Sequence, residues 1–267
     1  MIDIVIFTKN RPLQLYSLLE SLDKNTDFRD SSRASVIYKY ENQYLAEIPE
    51  IQEKFPFIRF VKQEDFKSDV LSCIDGRNKF CTFFVDDIVV KSKTSFSDIC
   101  NILSLNSPIL TLSLRMGLQL NFCYPTRSPQ QIPNGIVQNG LFAWDWRSGE
   151  GDWGYPFSVD GHVFRKSEIM RCITEAQFSN PNQFEDRMQS LKMMNLPTNC
   201  ACFVSSKIVN LPLNRVQNEY KNRSEEETPE SLLEIWKSGK KIKISSISEI
   251  NNISAHFPAK ISLEDRS

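Results

Sequence analysis

The sequence has few of the residues that build common phosphate and zinc sites. It contains nine glycines and two histidines in 267 residues, and no glycine-rich loop follows its first apolar run, which argues against Walker-type and dinucleotide-binding sites. Neither histidine has a cysteine or a second histidine at metal-ligand spacing. The seven cysteines are scattered, odd in number and without a CxxC pair. We therefore expect reduced, mostly buried thiols.

Long apolar runs and an excess of one charge are also missing. No stretch approaches the length of a membrane span, and the N-terminal run Met1–Phe7 is too short for a signal core and has no basic residue before it. Lysine and arginine number 32 against 33 aspartates and glutamates, so no basic field is available to hold a nucleic acid. We expect a cytoplasmic protein with no transmembrane segment and no nucleic-acid partner.

The first hundred residues alternate β-rich runs with amphipathic stretches. The predicted strands cover 2–7, 34–39, 57–62 and 80–85. The predicted helices cover 13–22, 43–54 and 66–75, and a further helix follows Thr94 or Ser95. Such alternation is typical of parallel strands joined by crossover helices. This half of the chain is predicted to be a nucleotide-binding α/β unit.

The second half has a different character. A strand over 109–114 leads into a segment rich in tryptophan, glycine and proline, from Tyr124 to Tyr155, which is predicted to be a functional loop region. The later predicted elements are strands over 157–164 and 200–209, helices over 166–177 and 182–194, and a helix that begins at Thr228. Because no repeat or low-complexity linker is present, we predict one domain over 1–267, with functional halves 1–115 and 116–267.

The strongest local pattern is the apolar run Cys81–Val85, which ends in Asp86 and Asp87. In an open parallel sheet the carboxyl ends of the strands line the ligand crevice. Adjacent carboxylates repel each other unless a cation lies near them, and Mg²⁺ or Mn²⁺ is the natural partner for oxygen ligands. By itself the pair fits a metal site and two acidic residues that open a turn about equally well.

A second pattern follows the first strand, where Thr8, Lys9, Asn10 and Arg11 lead into Pro12. This turn lies at the same predicted edge of the sheet. Backbone amides at the start of a helix, with a lysine or arginine nearby, can cradle a base, a ribose or a phosphate. Taken alone, a solvated basic loop is the simpler interpretation.

Carboxylates and a histidine further along the chain are candidates for catalysis. Glu185 and Asp186 lie at the start of a predicted helix, where one of them can take the proton of an acceptor hydroxyl or can serve as an ordinary helix-start residue. His256 can complete the shell of a metal from a folded-over tail, although a structural histidine is the simpler interpretation.

The tryptophan-rich segment is a candidate acceptor site. Aromatic rings stack on the C–H faces of sugars, and neighbouring carboxylates accept hydrogen bonds from hydroxyl groups. Tryptophans that fill the core beneath a loop are the alternative. The candidate acceptor-binding residues are Trp144, Trp146, Trp153, Asp152 and His162.

Together, the Thr8-Lys9-Asn10-Arg11-Pro12 turn and the Val85-Asp86-Asp87 strand end resemble the donor site of GT-A glycosyltransferases similar to family two. That family has a Thr-x-Asn-Arg-Pro turn after strand one and an Asp-x-Asp metal motif after strand four. Asp86-Asp87-Ile88 departs from the usual spacing of the metal motif. The resemblance covers roughly the first two hundred residues.

The resemblance implies a Rossmann-like α/β/α sandwich with a mostly parallel central sheet. It further implies transfer of a sugar from a nucleoside-diphosphate sugar to a carbohydrate or other hydroxyl acceptor, with Mn²⁺ or Mg²⁺ as cofactor. Residues 1–115 would then bind the nucleotide sugar, and 116–267 would bind the acceptor. Inversion by direct displacement is the expected course, with Glu185, its neighbour Asp186, or Asp160 as base.

The same resemblance implies a set of site residues. Asp87 is the first choice as metal ligand, with Asp86 and His256 beside it. The implied donor-binding residues are Thr8, Lys9, Asn10, Arg11, Tyr40, Glu41, Asp65, Lys67 and Asp86. Tyr40 and Glu41 occupy the place where the family has acidic residues that hold the nucleobase. Leu213–Gln217 is predicted to close over the donor.

Two other functions remain open at this point. A nucleotidyltransferase also combines a Rossmann-like sheet with metal-binding carboxylates, but it normally has a glycine-rich basic loop that this sequence lacks. A catalytically inactive relative that binds carbohydrate through the same tryptophans belongs to a different class. Hydrolysis of the donor in the presence of Mn²⁺ distinguishes an enzyme from such a binding protein.

Overall fold

The structure, a computed structural model, describes residues 1–74, 76–106, 108–193, 195–214, 227–248, 250–258 and 260–266. The elements of the first half are β1 Ile2–Thr8, α1 Pro12–Asn25, α2 Phe28–Ser31, β2 Ser32–Tyr38, α3 Asn42–Leu45, α4 Ile48–Lys54, β3 Arg59–Lys62, α5 Phe66–Ile74, β4 Phe80–Val85, β5 Ile88–Val90, α6 Phe96–Leu105 and β6 Ile109–Ser113. The predicted alternation of strands and helices is confirmed there.

The second half begins with short strands and continues with both kinds of element. Its elements are β7 Phe122–Cys123, β8 Ser128–Pro129, β9 Gly135–Gln138, β10 Leu141–Asp145, β11 His162–Arg165, α7 Lys166–Glu175, α8 Pro181–Gln189, β12 Asn199–Phe203, β13 Ile208–Asn210, α9 Pro229–Lys237, β14 Lys240–Ile242, α10 Ile244–Ser248 and β15 Leu263–Asp265. Among the helices that the structure describes, none is both long and apolar enough to cross a bilayer.

The described residues form a central sheet of nine strands in the order β3-β2-β1-β4-β11-β6-β12-β10-β9. Strands β1 to β4 pair in parallel, and β6 pairs in parallel with β12. Strands β10 and β11 run antiparallel to their neighbours. The predicted fold class, a mixed α/β domain with a mostly parallel central sheet, is confirmed.

Both faces of the sheet are covered, as a parallel sheet requires. Along β1, Ile4 and Ile6 pack into one apolar cluster with α1, α4, α6 and α9, whereas Val5 and Phe7 pack into a second cluster with α5, α7 and α8. Successive side chains of a strand point to opposite faces, so a continuously apolar strand contributes to both clusters. The result is the expected three-layer sandwich.

Several predicted boundaries are wrong. The strand expected over 157–164 is only His162–Arg165, because Gly161 turns the chain with φ of 68°, a conformation that favours glycine. The strand expected over 200–209 is two strands, β12 and β13. The helix expected over 43–54 is also two, α3 and α4, and the helix expected over 182–194 ends at Gln189, before a 3₁₀ turn over Ser190–Met193.

Candidate active site

A cleft of about 910 Å³ opens at the carboxyl ends of β1 and β4. The turn between β1 and α1, the end of β4, the start of α8 and the C-terminal segment around His256 all line it. Ligand sites of open α/β sheets lie at this edge. The fold therefore brings the two predicted motifs, and residues far from them in sequence, to one place.

The turn after β1 is shaped by Asn10, whose φ of 54° lies in the left-handed region that asparagine tolerates better than most residues. The Asn10 Oδ1 accepts a hydrogen bond of 2.8 Å from the backbone N–H of Glu41, which ties the turn to the segment after β2. Thr8, Lys9 and Arg11 line the cleft as a result. Asn10 positions these residues by holding the turn in place.

The end of β4 carries a buried charge cluster, which we call the β4 cluster: Arg11, Asp86 and Asp87. The Arg11 Nη1 donates to Asp86 Oδ1 at 2.8 Å and to Asp87 Oδ2 at 3.3 Å. The Lys9 backbone N–H donates to Asp86 Oδ2 at 3.3 Å, and Asn210 Nδ2 donates to Asp87 Oδ1 at 2.8 Å. All four carboxylate oxygens therefore have a donor.

Electrostatics show how closely these groups depend on one another. Burial raises the pKa of Asp87 to about 7; the Arg11 guanidinium opposes this rise, and Asp86 and Asp160 add to it. Burial acts to lower the pKa of Arg11, but the two aspartates outweigh it and the pKa of Arg11 is raised. Negative charge is thus concentrated here, and Arg11 balances part of it.

A second buried cluster faces the same cleft; the sequence had indicated its two aspartates but not its arginine. We call it the β6 cluster: Arg115, Asp152 and Asp160. Arg115 follows β6, and its Nη1 donates to Ser158 Oγ at 3.0 Å and to Asp160 Oδ2 at 3.2 Å. The Nη2 donates to Asp152 Oδ1, and Gln130 Nε2 donates to Asp152 Oδ2 at 3.2 Å. One guanidinium joins the segment after β6 to the connection between β10 and β11 at the wall of the cleft.

The C-terminal segment returns to the cleft beside this cluster. The backbone N–H of Phe257 donates to the Asn210 carbonyl at 2.9 Å, and the His256 ring stacks on Tyr124 with centroids 6.2 Å apart. The His256 Nε2 lies 3.7 Å from Asp160 Oδ2. Burial lowers the pKa of His256 to about 4, so its imidazole is neutral near pH 7.

The predicted catalytic carboxylates also reach the cleft. Burial raises the pKa of Asp160 to about 7 against the opposing effect of Arg115. Glu185, on α8, accepts a 2.9 Å hydrogen bond from the Val159 backbone N–H at Oε1, and burial raises its pKa. Asp186 is exposed and lines the cleft next to Glu185. The structure therefore brings all three candidate bases to one wall.

The interpretation of the tryptophans as sugar-stacking residues is wrong for this structure. Trp144, Trp146 and Trp153 are all buried, and Trp153 is fully enclosed. Trp144 Nε1 donates to the Trp153 carbonyl at 3.0 Å, and Trp153 Nε1 donates to the Leu120 carbonyl at 3.3 Å. With apolar rings packed and polar N–H groups satisfied, these residues fill the core beneath the cleft.

Other predicted contacts also lie away from the cleft. Tyr40 is buried, and its hydroxyl lies 3.2 Å from Thr8 Oγ1. Asp65 Oδ1 accepts from the Ser68 N–H at 2.9 Å at the start of α5. Lys67 Nζ donates to the carbonyls of Thr174 and Ala176, each at 2.7 Å, at the end of α7.

Among the predicted acceptor-binding residues, His162 lies in the core and Asp152 lines the cleft. Burial lowers the pKa of His162 to about 3.

Among the predicted donor-binding residues, Glu41 is exposed and contributes its backbone N–H to Asn10. Lys39 and Gln63, which follow β2 and β3, line the cleft in place of Tyr40 and Asp65. Of the segment predicted to close over the donor, 215–217 lie outside the described residues.

Whether the cleft can hold a divalent cation depends on which ligands complete the coordination shell of that cation. Within the described ranges, no group of three His, Cys, Asp or Glu side chains is arranged to hold a metal ion. Mg²⁺ commonly takes one or two protein carboxylates and completes its octahedron with water and substrate phosphates. Asp86 and Asp87 supply oxygen donors of that kind, and His256 Nδ1 is buried with no partner among the described residues. The residues fit a cation that is held jointly with a ligand.

Comparisons with known proteins agree with the predicted resemblance. No protein-family model matches the sequence. The chain is 27% identical over 256 residues to the bifunctional glycosyltransferase pgtA of Dictyostelium discoideum, an alignment that covers 83% of this chain and 33% of pgtA. The chain therefore spans about a third of the length of this curated relative.

One solved structure supports the fold, and a second aligns less well. The S. aureus TarS fragment 1–349 in complex with UDP aligns with a TM-score of 0.50 and 13% identity, over 77% of this chain and 57% of that one. The mannosyltransferase PcManGT from Pyrobaculum calidifontis, in complex with GDP-Man and Mn²⁺, aligns with a TM-score of 0.46 and 10% identity, over 73% and 53%. The resemblance to GT-A glycosyltransferases is confirmed by the curated relative and, for the fold, by TarS.

Proposed function

We propose that this chain is a GT-A glycosyltransferase that moves a sugar from a nucleoside-diphosphate sugar to a hydroxyl acceptor. One observation carries the proposal: a single cleft at the carboxyl ends of β1 and β4 is lined by the Asp86–Asp87 pair, by basic residues of the β1–α1 turn and by four further carboxylates, Asp152, Asp160, Glu185 and Asp186. Such a cleft can bind an anionic leaving group at one side and activate a hydroxyl at the other. The alignment with pgtA supports the same class.

The donor occupies the side of the cleft formed by β1 and β4. Lys9 and Arg11 supply positive charge near the carboxylates of the β4 cluster, and Lys39 and Gln63 line the outer part of the same side. A nucleoside diphosphate needs cationic partners for its phosphates and polar partners for its base. The side chains after β1, β2 and β3 meet those needs.

A divalent cation, Mn²⁺ or Mg²⁺, is part of the proposal. Asp87, with Asp86 and His256 nearby, would hold it, and it would offset the charge of the departing diphosphate. The neutral imidazole of His256 and the oxygens of the aspartates are donor types that such ions accept. Both predicted metals use these donors, so the choice between them is left to the assay.

The acceptor occupies the side formed by α8 and the loop before β11. Glu185 acts as the general base in an inverting displacement, because its raised pKa brings it closer to neutral pH and its Oε1 is held by the Val159 N–H. Asp186 lies one residue further along α8 and is more exposed. Burial raises the pKa of Asp160 as well, but its Oδ2 already accepts a hydrogen bond from Arg115 Nη1 at 3.2 Å, so we place the base at Glu185.

The alternative of a carbohydrate-binding protein without activity loses its main support. It depended on exposed tryptophans, and all three in the segment are buried. The nucleotidyltransferase alternative lacks the glycine-rich loop that it needs. We therefore advance no second function.

A donor-hydrolysis assay tests the proposal. Purified protein is incubated with UDP-, GDP- and ADP-sugars in Mn²⁺ or Mg²⁺, and release of the nucleoside diphosphate is followed by chromatography. We expect release from one nucleotide class, faster with an added glycoside acceptor, and lost in Glu185→Gln with acceptor present. Asp186→Asn is the matched control on the same helix turn. Absence of release from every donor under every condition would contradict the proposal.

A further inference from the structure

The β4 cluster already contains a cation of its own. Arg11 is buried in the cleft wall, and its Nη1 lies between Asp86 Oδ1 and Asp87 Oδ2 at 2.8 and 3.3 Å. Two carboxylates and one guanidinium leave a formal charge of −1, and each carboxylate oxygen has a hydrogen-bond donor. A divalent ion that approaches the two aspartates without a nucleotide therefore finds their oxygens already hydrogen-bonded, two of them to the positively charged Arg11.

Arg11 is also fixed from behind. Its Nη2 donates to the backbone carbonyl of Asn214, and Gln14 Nε2 donates to Asn214 Oδ1 at 3.0 Å. The segment that leads to Asn214 contacts the same cluster, because the Leu211 N–H donates to the Asp87 carbonyl at 2.8 Å. The guanidinium therefore connects the strand end to the segment after β13.

We propose that Arg11 is the resident counter-ion of the Asp86–Asp87 pair, and that it makes cation binding depend on the donor. In the ligand-free protein, Arg11 holds the carboxylates and weakens their attraction for a divalent ion. A nucleoside diphosphate brings negative charge that attracts both the ion and Arg11, so the ion and the nucleotide bind together and each strengthens the other. This role rests on the proposed function and identifies Arg11 as a positioning residue.

The charge balance decides the direction of the effect. A unit charge a few ångströms from a binding ion in a partly buried site changes the affinity for that ion by about tenfold or more. Removal of Arg11 leaves two neighbouring carboxylates without their counter-ion. The cluster then attracts a divalent ion more strongly in the absence of nucleotide, while the nucleotide loses a cationic partner.

The test measures binding of Mn²⁺ itself by electron paramagnetic resonance, at about pH 8 to favour ionised carboxylates. Wild type, Arg11→Met and Arg11→Lys are titrated with Mn²⁺, with and without UDP, GDP or ADP. We expect Arg11→Met to bind Mn²⁺ alone about tenfold more tightly than wild type and to lose most of the gain that nucleotide brings. Arg11→Lys keeps the charge and is expected to resemble wild type in Mn²⁺ binding without nucleotide.

Two further variants serve as a control and as a substitute for Arg11→Met. Arg29→Met removes an arginine that pairs with Asp23 at the surface, and it should leave Mn²⁺ binding unchanged. If Arg11→Met does not fold, Gln14→Leu loosens Asn214 without touching the aspartates, and a smaller change in the same direction is expected, about two- to threefold.

The outcomes separate the two proposals. Unchanged or weaker Mn²⁺ binding in Arg11→Met, or in Gln14→Leu where that variant replaces it, overturns the counter-ion role, even when wild type binds a nucleoside diphosphate normally. Failure of wild type to bind any nucleoside diphosphate in Mn²⁺ contradicts the proposed function itself. Tighter Mn²⁺ binding in Arg11→Met together with a smaller nucleotide gain supports both.

Discussion

The two charge clusters of the cleft use the same chemistry for different ends. In each, one buried arginine lies between two aspartates. In the β4 cluster the aspartates are adjacent in sequence and the arginine comes from the turn beside them. In the β6 cluster the arginine follows β6, and the two aspartates lie eight residues apart in the connection between β10 and β11. The first arrangement concentrates charge at a strand end, and the second holds loops together.

The two clusters also differ in the residues that form hydrogen bonds with them. In the β4 cluster, Asp87 accepts a hydrogen bond from Asn210, the last residue of β13. In the β6 cluster, Ser158 accepts a hydrogen bond from Arg115, and Gln130 donates one to Asp152. An enclosed ion pair fixes geometry and is costly to break. We therefore propose ligand binding for the β4 cluster and loop positioning for the β6 cluster.

The largest expected effect is on catalysis and comes from the β4 cluster. Asp87→Asn removes a charge while keeping size, and we expect donor turnover to fall about 10²- to 10³-fold, as when one group that stabilises developing charge is lost. Fold stability should change little, because burial already disfavours the charged form of Asp87 and raises its pKa to about 7, and the Asn side chain retains an oxygen for Asn210. Steady-state kinetics with Mn²⁺ gives the answer; turnover within a few fold of wild type would break the assignment.

The matched change in the β6 cluster is expected to act on stability. Asp152→Asn leaves Arg115 with one fewer carboxylate in a buried position, which should cost about 3 kcal/mol of unfolding free energy. Binding of a nucleoside diphosphate should stay within about twofold of wild type, because donor contacts lie on the other wall. Urea unfolding and calorimetry separate the two effects. The distinction between the clusters fails if Asp152→Asn weakens nucleotide binding and leaves stability intact.

The core beneath the cleft adds a pH dependence. Burial lowers the pKa of His162 to about 3, below the ordinary value of 6.5, so the unfolded chain takes up a proton more readily than the folded one. Stability from this group is complete above about pH 6.5 and falls as pH decreases toward 3, with roughly 2 kcal/mol lost by pH 5. His162→Gln should lose less stability than wild type between pH 7 and 5. Equal losses in the two proteins would contradict this.

The smallest effect distinguishes core tryptophans from sugar-binding ones. Trp144→Phe removes the hydrogen bond to the Trp153 carbonyl and part of a buried ring, which should cost about 1 to 2 kcal/mol. The KM for the acceptor should not change, because the side chain does not reach the cleft. A several-fold rise in that KM without loss of stability would restore the acceptor-binding interpretation.

The sequence predicted what local patterns determine. Strands β1 and β4 are mostly apolar and are followed by polar residues, so their carboxyl ends and the Asp86–Asp87 pair were identifiable. Arg115 was missed, although the same rule applies: it is a charged residue just after a buried strand. Its partners Asp152 and Asp160 are distant in sequence, and only the folded chain brings them together.

The tryptophans failed for a different reason. Aromatic residues interleaved with glycine and aspartate occur both at sugar sites and in loops packed onto a core, and composition does not separate the two. Trp153 lies edge-on to Trp144 with centroids 4.9 Å apart, a contact that forms only when the segment after β10 folds back onto that strand. The prediction of one helix over 43–54 was wrong because a two-residue turn interrupts an otherwise helical pattern and divides it into α3 and α4.

The most direct test of the proposed donor site is isothermal titration calorimetry, in which UDP, GDP and ADP are titrated into the wild-type protein with Mn²⁺ and with a chelator. We predict saturable 1:1 binding of one nucleoside diphosphate in Mn²⁺ and binding at least about tenfold weaker in chelator, because the cation and the diphosphate charge are held together at the β4 cluster. Absence of binding for all three nucleotides, or binding equally tight in chelator, would contradict the central claim that this cleft is a metal-assisted donor site.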